Sequence, residues 1–181
     1  MNERKVFRTL VFKNFVFKNF VFKNFKERGE WVELRFMAQA MGLGLRVSKP
    51  WGDSSAYDVG VESGSRILRV QVKSTTSRIG SGYLCRLKPN PATEPYTEEQ
   101  LDFFAAYVIP EDVWYLIPAG VVLQSRGDLM LCPVQPRKYD RYKYECYREA
   151  WALLRPSRNK SKAQSQSKSQ RKTKTNRKTA L

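Results

Sequence analysis

Tyr57-Asp58-Val59-Gly60-Val61-Glu62-Ser63-Gly64-Ser65-Arg66-Ile67-Leu68-Arg69-Val70-Gln71-Val72-Lys73 is the stretch whose reading decides the fold. Two alternating runs, 56–62 and 66–73, flank Ser63-Gly64-Ser65, a tight hairpin signal. Strand alternation puts Arg69, Gln71 and Lys73 on one face and Leu68, Val70 and Val72 on the other. The second face is branched and apolar throughout, so it is expected to be the buried one. The same parity groups Asp58, Gly60 and Glu62 against Tyr57, Val59 and Val61. Asp58 can therefore lie beside Gln71 and Lys73 across adjacent strands, with Gly60 leaving room nearby. A local hairpin with one apolar face has its register well fixed.

Working outward, residues 27–41 read as a helix, with Trp31, Leu34, Ala38 and Met41 at three- and four-residue spacing and Gly42 and Gly44 as stop signals. Residues 45–48 form a short strand ended by Pro50, and 51–55 a polar loop. A third strand of the core follows at 82–87, after the Ser/Gly-rich loop 74–82. Thr97 with Glu98, Glu99 and Gln100 has capping-box spacing and predicts a helix to about residue 108. Strands at 113–117 (ended by Pro118) and 129–132 and a closing helix at 139–154 complete the string. The order α-β-β-β-α-β describes a mixed α/β layer fold.

The chain has 181 residues, enough for one well-packed domain. Its net charge of +16 is concentrated at the ends. Residues 29–155 carry sixteen Lys/Arg against fifteen Asp/Glu, whereas 1–28 carry eight against two and 156–181 nine against none. The expected organisation is a low-complexity extension at 1–25, a domain at 26–155 and a disordered basic tail at 156–181. There is no histidine, which excludes Ser-His-Asp and Cys-His nucleophile pairs and a His-ligated zinc. Cys85, Cys132 and Cys146 are odd in number and lack a CxxC pair, as expected of reduced thiols. No apolar run approaches the ~20 residues of a membrane span, and Lys13, Lys18 and Lys23 interrupt any signal-peptide core. A soluble, cytoplasmic protein is expected.

Residues 11–25 are three copies of Val-Phe-Lys-Asn-Phe. Each copy turns about 500° on a helix and changes face on a strand, so neither element collects one apolar stripe. The repeat reads either as a tandem duplication tolerated at a terminus or as Phe interleaved with Lys for base stacking and phosphate neutralisation. In the tail, Lys160, Lys162, Lys168, Arg171 and Lys172 sit among Ser, Thr and Gln. They offer salt-sensitive affinity for nucleic acid without sequence preference, or simply solubility.

Chemistry points back to the hairpin. Asp58, Gln71 and Lys73, with Glu30 and Glu33 on the preceding helix, are the makings of a magnesium-type nuclease site. Mg2+ is hard, takes oxygen ligands and is held by one or two carboxylates plus water and phosphate. The plain alternatives are Asp58 as a turn residue, Gln71 and Lys73 as a solvated strand face and Glu33 as an exposed helix charge. Glu30 reads as a first-turn charge complementing the helix dipole, Asp53 as part of its loop, and Lys49 as either a phosphate contact or a surface charge. Trp114 and Tyr115 read as core, and Asp102 as structural.

These residues also carry a resemblance. Gly29-Glu30-Trp31-Val32-Glu33, Lys49-Pro50-Trp51-Gly52-Asp53, Tyr57-Asp58-Val59 and Leu68-Arg69-Val70-Gln71-Val72-Lys73-Ser74 resemble the PD-(D/E)XK nuclease superfamily, in the branch near archaeal Holliday-junction resolvases and a cyanobacterial intron homing endonuclease. Tyr96-Thr97-Glu98-Glu99-Gln100-Leu101-Asp102 and Val113-Trp114-Tyr115-Leu116-Ile117-Pro118 are similar to the same branch. The resemblance spans residues 29–118. It implies an α/β, restriction-endonuclease-like αβββαβ core with a mixed central sheet and flanking helices. It also implies a metal-dependent DNA endonuclease using Mg2+, with Mn2+ as the alternative ion. By position, Glu33 becomes the helix acid, Asp58 the main metal ligand, Gln71 the second ligand through its side-chain oxygen, and Lys73 the catalytic lysine. Lys49 and Arg69 join the tail residues as candidate nucleic-acid contacts. Gln71 departs from the usual Asp or Glu, although some members resemble this sequence there; the site then carries one negative charge fewer. DNA is the expected partner, without a membrane or a small-molecule cofactor, and a homodimer is an open expectation because such domains often pair to cut both strands. The competing expectations are a nuclease fold that binds DNA or RNA without cutting, and an interaction module unrelated to nucleic acid.

Overall fold

The computed structural model describes residues 22–52, 55–87, 96–125, 127–134 and 143–156. Its elements run α1 (Phe25–Gly42), β1 (Val47–Ser48), β2 (Val59–Ser63), β3 (Arg66–Thr75), β4 (Arg78–Ile79), β5 (Gly82–Cys85), β6 (Phe103–Val108), β7 (Val113–Pro118), α2 (Ala119–Leu123) and β8 (Leu129–Leu131). The hairpin forms in the expected register, with Ser63 opposite Arg66 and Val59 opposite Val70. Gly64 takes a φ of +65° at the first central position of the turn, a conformation costly for a residue with a Cβ. The parity holds within the strands, where Leu68, Val70 and Val72 are buried with Val59 and Val61, but Tyr57, ahead of β2, packs against the cluster on the other face. The room at Gly60 is taken by β1 and the neighbouring strand, since a Cβ there would meet Ser48 Oγ at 2.7 Å and Ile67 Cγ2 at 2.9 Å.

The main sheet has the order β1-β2-β3-β6-β7, antiparallel except for the parallel β3–β6 pair. This is the mixed central sheet that the resemblance implies. One face packs on α1 through Val32, Phe36 and Ala40, where Phe36 meets Trp114 and Trp151 at ring distances of 5.4 Å. The other face packs Phe104, Ala106, Tyr115 and Ile117 against Tyr83, Cys85, Leu129 and Leu131 of a small second sheet, β4-β5-β8. Trp114 and Tyr115 are fully buried core residues, as read. Among the described residues no helix is long and apolar enough to cross a membrane.

Four expectations need correction. The α1 stripe that packs is 32/36/40, while Leu34 and Met41 are 61% and 62% exposed; the helix has two apolar rows, and the sheet takes the one holding Phe36. The strand near residue 82 joins the second sheet rather than the main one. The helix predicted after Thr97 is a turn followed by β6, whose Phe-Phe-Ala-Ala-Tyr-Val run lies between β3 and β7. Its continuous apolar character belongs to a strand covered on both faces. The closing helix is replaced, over 143–156, by two short 3-10 turns at Glu145–Tyr147 and Trp151–Leu154. There Glu149 exchanges hydrogen bonds with Trp114 (its N donates to Trp114 O at 2.8 Å, and Trp114 N to its Oε1 at 2.7 Å), and Arg148 bridges Tyr115, so the segment lines the edge of β7. The rest of that prediction, 139–142, lies outside the described residues, as do the first two repeat copies and the tail beyond Pro156.

Candidate active site

Asp58 stands one residue before β2, where pairing with β3 ends. Its backbone N–H donates to Val70 O at 3.0 Å, and its Oδ2 accepts from Val72 N at 2.7 Å and from Gln71 Nε2 at 2.5 Å. The carboxylate thus extends the ladder one step beyond the last backbone pair, giving Val72 an acceptor and holding Gln71 in place. Burial pushes the Asp58 carboxyl above the usual carboxylate range and the Glu33 charge adds to this, while the Val72 amide, Lys73 and Gln71 pull the other way.

β3 continues to Thr75 without β2 beside it, and the first turns of α1 reach the space this leaves. Glu33 projects from α1 and its Oε2 accepts from Lys49 Nζ at 2.5 Å. That hydrogen bond raises the Lys49 ammonium above the ordinary lysine value, against a smaller opposing effect of burial. Lys73 donates to Tyr96 Oη at 3.2 Å and stands 5.5 Å from the centre of that ring. Glu33, Asp58, Gln71 and Lys73 all line one cleft of about 490 Å³, with Arg28, Ser74 and Arg86 among its other walls. The four candidates drawn from helix, loop and strand therefore converge.

The remaining candidates divide. Lys49 reaches the cleft only through Glu33. Arg69 is turned to Asp102, its N and Nε donating to Oδ2 at 2.8 and 2.9 Å, and is not part of the cleft wall. Asp102 is thus structural, as read. Asp53, Lys160, Lys162, Lys168, Arg171 and Lys172 lie outside the described residues. Arg28, Arg86 and Tyr96 are not singled out by sequence. The last occurs in a quoted motif, but for the two arginines no local pattern marks a residue that folding alone brings to the cleft.

Two carboxylates, the Gln71 amide and the Ser74 hydroxyl are the side-chain oxygens of the cleft wall. Among the described residues no group of three or more His, Cys, Asp or Glu comes together. Because Gln71 gives its Nε2 to Asp58, its carbonyl oxygen is the atom left for another partner.

The model of the PD-(D/E)XK endonuclease family matches residues 23–154. No curated relative matches the chain. Among solved structures, the bacterial homing endonuclease I-Ssp6803I superposes with a TM-score of 0.61 at 26% identity, over 72% of this chain and 91% of that one. The family match takes in α1, the hairpin, both sheets and all four cleft residues, and so the chain belongs to the PD-(D/E)XK endonuclease family.

Proposed function

We propose that the chain is an Mg2+-dependent DNA endonuclease that hydrolyses phosphodiester bonds, with Glu33, Asp58 and Gln71 as the protein ligands of the ion and Lys73 as the catalytic lysine. The observation that carries this reading is the meeting of these four side chains in one cleft. The donors are hard oxygens, which suit Mg2+ or Mn2+ far better than a softer metal. A partly desolvated Asp58 beside the Glu33 charge also favours a counter-cation there. When bound, the ion would acidify a water and neutralise charge on the phosphoryl oxygens. Tyr96 holds the Lys73 ammonium on the cleft wall, from which it would orient the attacking water or stabilise developing charge. Arg28 and Arg86 would hold flanking phosphates.

Supercoiled and branched DNA incubated with Mg2+ test the proposal. Asp58→Ala and Lys73→Ala should each reduce nicking by about 10²-fold or more. Undiminished nicking in either variant would remove that residue from the mechanism.

Gln71 and the two-carboxylate donor set favour a second reading, a nuclease fold that binds DNA or RNA and cuts weakly or not at all. It predicts salt-dependent binding without metal-dependent nicking, and a gain of nicking in Gln71→Glu. In both readings we take 26–155 as the nuclease domain, 1–25 as an extension whose last residues cap and begin α1, and the cations of 156–181 as a non-specific aid to binding.

A further inference from the structure

Trp51 is 100% exposed. The chain has four tryptophans, and the other three are built into the protein: Trp114 and Trp151 are buried and Trp31 packs against the core. Among the described residues it is the most exposed large hydrophobic side chain, ahead of Phe25 at 81%, and an indole this open offers a face on which a base can stack. The loop that carries it is shaped. Pro50 restricts the backbone on one side, and Gly52 takes a φ of +76° on the other. It is also moored to the cleft, because Lys49 holds Glu33 at 2.5 Å and Glu33 lines the cleft wall.

The surroundings select the partner. Lys49 and Gly52, the described exposed residues beside Trp51 in the loop, add no apolar side chain to it. The cleft to which Lys49 ties the loop presents Arg28, Lys73 and Arg86 around its carboxylates Glu33 and Asp58. An aromatic face with cations at its side fits a nucleotide, whose base stacks while its phosphates are neutralised. We propose that Trp51 stacks on a base of the nucleic acid lying in the cleft, positioning the strand. This rests on the reading of the cleft as a phosphodiester site.

The test uses the full chain with magnesium withheld, a random-sequence duplex and a four-way junction as probes, and tryptophan fluorescence as readout. Without DNA, Trp51 should supply a solvent-exposed emission component quenched by acrylamide and missing from Trp51→Phe. Either DNA should shield that component. Trp51→Ala should weaken binding by about tenfold, with Trp51→Phe retaining most of the affinity because its ring still stacks. A side chain this exposed can be replaced without disturbing the fold, and unchanged thermal unfolding checks that. DNA binding that leaves Trp51 open to acrylamide and Trp51→Ala at full affinity overturns this proposal while the nuclease reading stands. Failure of all forms to bind either DNA overturns both. Shielding that grows with protein concentration alone overturns it in favour of a second copy of the chain.

Discussion

At Asp58, two demands meet in one side chain. As a ladder-ending acceptor it holds the Val72 amide and the Gln71 side chain; as a partly buried carboxylate it is pushed above the usual range by desolvation and by Glu33. The folded chain therefore retains this proton at a pH where the unfolded chain, with a carboxyl near 3.9, has lost it. Between those two values stability falls as pH rises, and above them the penalty for the charge remains in full. Asp58→Asn keeps an acceptor oxygen for Val72 and removes the charge. In the absence of divalent metal it should be as stable as the parent at neutral pH or more so, by up to about 1 kcal/mol, and the gap should close in acid. Added Mg2+ should stabilise the parent and not the variant. Denaturant unfolding across pH, with and without metal, checks this, and a variant that loses stability equally at every pH would make the hydrogen bonds, not the charge, dominant. Asp58, Gln71 and Lys73 are legible in sequence because period-two alternation and a short hairpin leave little freedom. Glu33 is singled out only through the resemblance, since helical spacing alone does not separate it from Glu30.

Elements are legible in proportion to how locally they are determined. The capping signal at Thr97 is real, and Thr97 N donates to Gln100 Oε1 at 3.1 Å, but it closes a single turn. The following apolar run is claimed by the free edge of β3, a pairing between residues far apart in sequence that no local pattern announces. The opposite holds at the start of α1, where a cap is spelled out locally but lies inside the five-residue repeat, whose regularity disguises it. Asn24 caps the helix by accepting from Glu27 N at 2.8 Å, and Glu27 Oε2 accepts in return from Lys23 N at 2.6 Å. Phe22 packs on Trp31 with ring centres 5.3 Å apart. The third repeat copy is thus partly absorbed into the fold. In the first two copies the residue three places after Asn is Phe17 or Phe22, not an acid. Asn24→Ala should cost about 1 kcal/mol of stability, whereas Asn19→Ala should change it by no more than about 0.5 kcal/mol. Equal losses at both positions, measured by denaturant unfolding, would show that the cap is not particular to the third copy.

Over the whole molecule, charge and packing are separated along the chain. The nearly neutral 29–155 contains both hydrophobic clusters and the four candidate residues of the cleft, and the family match ends at residue 154. At the end of the described chain, Arg155 Nη2 donates to Leu43 O at 2.6 Å, and Pro156 lies against the hairpin turn, within 3.5 Å of where a Gly64 Cβ would be. Beyond them come nine Lys/Arg and no acid. Shortening the chain to end at Pro156 should therefore leave the unfolding free energy within about 0.5 kcal/mol of the parent. Affinity for DNA should fall, and its dependence on salt should become shallower, because every phosphate that the tail no longer neutralises takes roughly 0.9 off the logarithmic slope. Metal-dependent nicking at low salt should survive, since the four cleft residues and the loop bearing Trp51 remain. Binding titrated against salt, with parent and shortened chain side by side, separates the contributions. An unchanged slope would assign the electrostatics of binding to Arg28, Lys73 and Arg86 in the cleft, and a drop in stability would mean that the basic segment packs on the domain. The expected pattern instead makes the tail a source of encounter and the cleft the source of chemistry.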